Sequence, residues 1–324
     1  MSERHVLRDR LAGGLVGLLV GDALGVPYEF HPPHDIPPLP QIEMTPPRGF
    51  PRAHVGVPPG TWSDDGAQAL ILLDSLLAND GLDLAHFANG LRRWLHEGFY
   101  AVNRAVFDVG AQTSTAINRL VGGCVPEAAG PATERHNGNG SLMRVLPLAL
   151  WHVGEDADLV RLAIRQSLPT HGHPRAQICC ALYCLWARAA LHGQQAPWEW
   201  AVARLKTLTH ETCLDAAEVA LVTAPENAAA IHGSGYVLDT LWSARASVLA
   251  GTDYACCVRA AIALGHDTDT TACVAGGIAG ILHGHAAIPV EWREGLRGMA
   301  LVQPLLERLF ARHTCSPDED MSPL

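Results

Sequence analysis

The chain has 324 residues, 48% hydrophobic and 17% charged, and its 33 acidic against 23 basic side chains leave a formal charge of −10. That balance argues against a nucleic-acid partner, which needs a basic footprint, although backbone amides at helix starts can still bind phosphate locally. So little charge demands a large buried interior, in one large domain or two ordinary ones.

The periodicity of apolar residues predicts helices over 4–24, 64–79, 83–97, 103–121, 141–152, 156–167, 174–192, 197–209, 211–223, 236–250, 253–264, 270–283 and 297–312. No stretch sustains two-residue alternation with β-branched enrichment, so the expected fold is an all-α globule with mostly short connections. Neither a fixed-period repeat nor a low-complexity tract interrupts it. Met1 to Arg10 is charged and lacks a signal-peptide layout. The apolar run Leu11 to Val20 stops at Gly21-Asp22, too short for a bilayer. The nine cysteines include no CxxC pair, and most lie inside apolar helical stretches. A soluble, cytoplasmic protein with reduced thiols and no membrane association is therefore expected.

Taken in chain order, the first helix carries a glycine stripe, Gly13, Gly17, Gly21 and Gly25, on nearly one face. Glycine weakens a helix by roughly 1 kcal/mol against alanine, so the stripe implies close approach by another element. Residues 27–59 hold 11 of the 22 prolines and read as a stiff loop edging the functional site. Glu29 sits where the striped helix ends. Thr61-Trp62-Ser63-Asp64-Asp65 then opens a helix. One serine or aspartate there is an ordinary N-cap, but three consecutive oxygen side chains exceed what capping needs.

Further along, His136-Asn137-Gly138-Asn139-Gly140-Ser141-Leu142-Met143-Arg144 places a Gly-Asn-Gly-Ser turn before an apolar run. Its free amides suit an anion, though it is no Walker loop. In Thr170-His171-Gly172-His173-Pro174 the two histidines read as capping or polar contacts more readily than as a zinc pair. Ser234-Gly235-Tyr236 offers close backbone approach and an aromatic face able to stack on a base. Gly265-His266-Asp267-Thr268-Asp269-Thr270 follows a helix stop and gathers two carboxylates and a hydroxyl around one point. An EF-hand is excluded by the missing downstream Gly and Glu. The two acidic motifs together supply about six hard oxygen ligands, suited to Mg²⁺, Mn²⁺ or Ca²⁺, and their mutual repulsion calls for cations.

In this order, these stretches resemble the ADP-ribosylglycohydrolase family, which includes the dinitrogenase reductase-activating glycohydrolases and the vertebrate ADP-ribosylhydrolases. The match runs over about residues 10–295: Gly13-Gly14 through Gly25 with Glu29, Trp62 to Asp65, Gly138 to Arg144, Thr170 to Pro174, Ser234 to Tyr236, and Gly265 to Thr270. The resemblance implies a compact single-domain, multi-helix orthogonal bundle over 1–312, with 313–324 a flexible tail. It implies a pair of Mg²⁺ (or Mn²⁺) ions held by Ser63, Asp64, Asp65, Asp267, Asp269 and Thr270. Serine stands at 63 where the family usually has threonine, and Gly66 also replaces a common threonine.

Further roles follow from the resemblance. Asn139, Gly140 and Ser141 are expected at the pyrophosphate of ADP-ribose, Tyr236 at the adenine beside Gly235, with His171 among the substrate contacts. Glu29, Asp65 and Asp267 are the candidates for catalysis, with Glu29 or Asp65 as the proton shuttle. The implied substrate is an ADP-ribosylated protein or small-molecule ADP-ribose conjugate, arginine-linked as a first expectation, acted on by a monomer. Two other readings keep the same ligands: another two-metal hydrolase such as a phosphoesterase, and an ADP-ribose-binding protein without turnover.

Overall fold

Helix α1, Glu3–Gly25, is buried almost without interruption from Leu11 onward. The computed structural model describes residues 3–314. The predicted tail therefore lies mostly outside the described residues. The partner of α1 is α13, Thr268–His283, and the two run together along their glycine and alanine faces. A Cβ on Gly17 would stand 2.5 Å from the carbonyl oxygen of Gly276, and one on Gly276 2.5 Å from that of Gly17. No side chain fits between these backbones, which explains a stripe that local propensity alone disfavours. Thr268 Oγ1 ties the far end of the seam to the Gly25 carbonyl at 2.9 Å. The segment Glu3–Tyr28 is long and apolar enough to cross a membrane, with mean hydropathy 1.5 in an 18-residue window, but 94% of that window is buried inside the protein.

Around this pair pack α2 (Asp64–Asn79), α3 (Leu84–Glu97), α4 (Ala111–Val121), α5 (Pro126–Ala129), α6 (Leu146–Trp151), α7 (Asp156–Ser167), α8 (Pro174–Leu191), α9 (Pro197–Leu208), α10 (Ala216–Val222), α11 (Val237–Ala250), α12 (Tyr254–Ile262), α14 (Val290–Gly295) and α15 (Met299–Thr314). Among the described residues there is no β-strand, only an isolated bridge between Gly138 and Tyr236. One continuous hydrophobic core runs through nearly all of the helices.

Three predicted helices come out shorter. Residues 103–110 are irregular, because Asn103, Arg104 and Asp108 take positive φ. Residues 141–145 form turns ahead of α6, drawn into a crossing with the segment 234–237 through Asn139 N to Gly235 O at 3.1 Å and Val237 N to Asn137 O at 2.9 Å. Cys213, at φ 54°, keeps 211–215 out of α10, which starts at the Asp215 cap. The single-turn helices α5 and α14 are too short for periodicity to reveal.

Helix α8 crosses the molecule, about 27 Å at 1.5 Å per residue. Its first residue follows His173, whose ring accepts from Arg175 N and so caps the helix. Near its other end Arg188 donates to Asp156 at 3.1 Å, and Arg204 of α9 reaches the same carboxylate at 2.5 Å. Burial pushes Asp156 up, but the bonds from Arg204 and Arg188 outweigh it and hold the carboxyl below its ordinary range. His152 beside them is held below its usual value, chiefly by burial. Among the described residues eight cysteines are free; five are buried, and Cys124 is partly and Cys213 and Cys256 fully exposed.

A candidate metal centre and substrate cavity

Asp22, one turn before the end of α1, is fully buried and builds the entrance to α2. Its carboxylate accepts from Ser63 N at 2.9 and 3.1 Å and from Gly66 N at 2.8 Å. Ser63 Oγ in turn accepts from Asp65 N at 3.3 Å, the ordinary N-cap bond. These contacts present Asp64 and Asp65 side by side at the helix start. Asp64 also accepts from Gln68 Nε2 at 3.2 Å, and Gln68 accepts from Arg144 at 2.9 Å. Arg144 is itself fully buried, so the nearest arginine reaches Asp64 only through an amide.

The start of α13 faces this helix end. Thr270 Oγ1 donates to Asp65 Oδ1 at 3.4 Å, and Thr270 N to Asp269 Oδ1 at 2.7 Å. Asp267 Oδ2 accepts from Asn139 Nδ2 at 2.8 Å. Carboxylate oxygens of Glu29, Asp267 and Asp269 lie within 4.8 Å of one another. The Pro-rich loop adds His54, which donates to Glu29 Oε2 at 2.6 Å and stands 4.0 Å from Asp108. Glu29, His54 and Asp108 form a second group of this kind.

Charge in this cluster is not balanced by the chain. Burial first, and then the neighbouring carboxylates, push Asp64, Asp65 and Asp269 well above the usual range. Burial takes Asp22 and Glu29 up to about 7, the latter opposed by His54. Two buried carboxylate oxygens, Asp65 Oδ2 and Asp269 Oδ2, have no hydrogen-bond partner. An orphaned carboxylate oxygen is costly to bury, and hard oxygen donors of this kind suit Mg²⁺ or Mn²⁺. The residues present therefore fit a divalent-cation centre.

Above the cluster opens a cavity of about 580 Å³. Glu29, Asp64, Asp65, Asp267 and Thr270 give the lining its acid, and Gly138, Asn139, Gly140, His171 and Gly235 complete it, Asn139 directly against Asp267. Burial and nearby Arg144 hold His171 well below the usual histidine range, so it lines the cavity as a neutral ring. The remaining sequence-derived candidates stand outside this lining. Ser63 and Asp269 are buried beneath it. Ser141 is also buried, accepting from Ser167 Oγ at 2.9 Å. Tyr236 is 38% exposed, and its hydroxyl accepts from Arg175 at 3.1 Å. His171 and His173 do not converge: the first lines the cavity, and the second caps α8 and faces Glu134 at 3.3 Å.

The sequence reading passes over Asp22, His54, Asp108 and Phe30. Asp22 offers one signal, a lone acid inside an apolar helix. Asp108 offers none, because its neighbourhood reads as helix. His54 is hidden in the loop that edges the site.

Comparisons with known proteins point to one family. The ADP-ribosylglycohydrolase family model matches residues 3–318. ADP-ribosylarginine hydrolase Tri1 of Pseudomonas putida is 31% identical over 94% of this chain and 78% of its own length. ADP-ribosyl-[dinitrogen reductase] glycohydrolase of Rhodospirillum rubrum is 29% identical over 88% and 90%. A solved structure titled ADP-ribosylglycohydrolase-related protein complex superposes with TM-score 0.76 and 32% identity, covering 96% of this chain and 99% of that one.

Proposed function

The chain belongs to the ADP-ribosylglycohydrolase family, and on that premise we propose that it cleaves the bond between C1″ of ADP-ribose and an arginine side chain, using divalent cations. Two relatives support the general activity by their names, one specifying arginine and one a modified protein. The observation that carries the metal requirement is the pair of orphaned buried oxygens, Asp65 Oδ2 and Asp269 Oδ2, on carboxylates that no arginine or lysine of the chain touches.

Ser63, Asp64, Asp65, Asp267, Asp269 and Thr270 would hold two Mg²⁺ or Mn²⁺ ions. When bound, such ions neutralise the carboxylates, polarise oxygen and orient a sugar diol. The chain's own residues do the rest. Asn139, fixed to Asp267 at 2.8 Å and to Thr240 at 3.0 Å, holds the wall against which the pyrophosphate is expected. Gly140 leaves the close approach open, since a Cβ there would meet His171 Cε1 at 2.8 Å. During hydrolysis water adds to C1″, the C1″–N bond breaks, and the departing guanidine nitrogen takes a proton. Positive charge building on the ribose is favoured by Glu29, Asp65 and Asp267. Glu29, buried 2.6 Å from His54 and grouped with Asp267 and Asp269, is our candidate to hold and deliver that proton.

The test presents ADP-ribosyl-arginine, an ADP-ribosylserine peptide and bis(p-nitrophenyl) phosphate, each with Mg²⁺, Mn²⁺ or a chelator. Cleavage of the arginine conjugate, lost on chelation and restored by either cation, is expected. Full activity in metal-free buffer, or preference for the phosphodiester, overturns the assignment. Tight ADP-ribose binding without turnover identifies a binder instead.

A further inference from the structure

Phe30 stands at the mouth of the cavity in a way the fold does not need. Glu29 before it is 2% exposed, yet Phe30 is 69% exposed while still lining the cavity. Its backbone is left-handed, at φ 65°, a conformation that bulky L-residues hold only under constraint.

The constraint is a staple between two loops. Phe30 N donates to His266 O at 2.7 Å, and His266 N, at φ 62°, donates to His31 O at 2.7 Å. Gly265 permits the approach, since a Cβ there would stand 2.6 Å from His31 O. The loop after α1 is thus pinned to the loop before α13, which fixes the backbone from which the phenyl ring projects. Behind Phe30 the His54 ring lies at 5.5 Å, and Phe107 lies 5.1 Å beyond His54. The carboxylates of Glu29 and Asp108 flank this row through His54.

An aromatic face open to solvent at the cavity mouth, with the Asp108 carboxylate 4.0 Å from the His54 ring behind it, can take a planar cation. We propose that Phe30 sets the leaving-group preference, its ring taking the guanidinium of an ADP-ribosylated arginine while the ribose sits over the acidic floor. The inference rests on the hydrolase reading above and adds the residue that distinguishes a cationic leaving group from a neutral one. A ring so exposed contributes little to the core, and its backbone strain works against stability.

Wild type, Phe30→Leu, Phe30→Gly and Phe30→Trp are compared on ADP-ribosyl-arginine and on an ADP-ribosylserine peptide. Free ADP-ribose binding is followed by calorimetry, and melting temperature is recorded for each variant. In Phe30→Leu and Phe30→Gly the arginine-over-serine preference in kcat/KM should fall roughly 3- to 30-fold, the span of a cation–π contact. Phe30→Trp should keep the preference, and Kd for free ADP-ribose should not move. Phe30→Gly should melt no lower than wild type, because glycine accepts a positive φ freely. An unchanged preference in Phe30→Leu, with wild type active on arginine, overturns this inference alone. Equal losses on both conjugates, or weakened ADP-ribose binding, also overturn it. If wild type cleaves neither conjugate, the hydrolase reading falls and carries this one with it.

Discussion

Half-buried Asp156 and the fully buried Asp64, Asp65 and Asp269 lie near opposite ends of α8, yet only Asp156 is matched by arginines of the chain. Arg188 and Arg204 hold it at 3.1 and 2.5 Å, and its carboxyl stays below its ordinary range. At the other end, Asp64, Asp65 and Asp269 have only hydroxyls, amides and one another, and they are pushed far above it. The difference teaches how to tell a structural acid from a functional one. A fold that can place two arginines on one aspartate has no need to leave other buried acids unmatched, unless something outside the chain completes them.

The strongest way to break the comparison is Asp269→Ala. Losing a ligand of the metal centre should remove several kcal/mol of transition-state stabilisation, hence about 10³-fold in turnover, together with calorimetric binding of Mg²⁺ or Mn²⁺. Circular dichroism should show a folded protein, and in metal-free buffer Asp269→Asn should melt above wild type, because one buried like charge is gone. Normal turnover in Asp269→Ala would sink the metal assignment. The mirror experiment is Asp156→Ala. It strands two arginines, one of them a third exposed, so a loss of roughly 2–3 kcal/mol in denaturant unfolding is expected, with kcat/KM nearly unchanged. A collapse of activity there would show that the two ends are not independent.

A smaller effect sharpens the contrast through pH. His171 beside the site and His152 beside Asp156 are both held below the usual histidine value, chiefly by burial, and His171 much further. His171 stays neutral in the fold, and His152 takes its proton at lower pH than its unfolded counterpart, which is half protonated near pH 6.5. The stability they contribute is therefore present above that pH and lost as pH falls through it. The loss approaches about 1.4 kcal/mol per pH unit for a histidine that remains neutral. Melting temperatures between pH 7.5 and 5.5 should fall less steeply in His171→Asn than in wild type, and His152→Asn should flatten the slope by a lesser amount.

How much of this was legible in the sequence depended on how local each signal was. The acidic triplet at 63–65 and the Asp-x-Asp-Thr run at 267–270 announce themselves as helix starts with too many oxygens. The glycine stripe of α1 announces a close partner, and α13 is that partner. What escapes is what needs three dimensions. Asp22 caps a helix more than 40 residues away in the chain, with |i−j| of 41 to Ser63 N. Asp108 reaches the cavity because positive φ values bend a stretch whose composition reads as helical. Ser141 reads as a loop hydroxyl, yet its partners are Ser167 and Cys180 behind the wall. Tyr236 reads as an exposed aromatic, yet Arg175 holds its hydroxyl.

The seam between α1 and α13 has a consequence for how the molecule is made. Thr268 meets the Gly25 carbonyl across 243 residues of chain, so on a ribosome adding 5–20 residues per second the first helix waits roughly 10–50 s for its mate. Throughout that interval the glycine groove of α1 lacks the helix that fills it in the finished fold, although α2 and α6 emerge early enough to cover other faces.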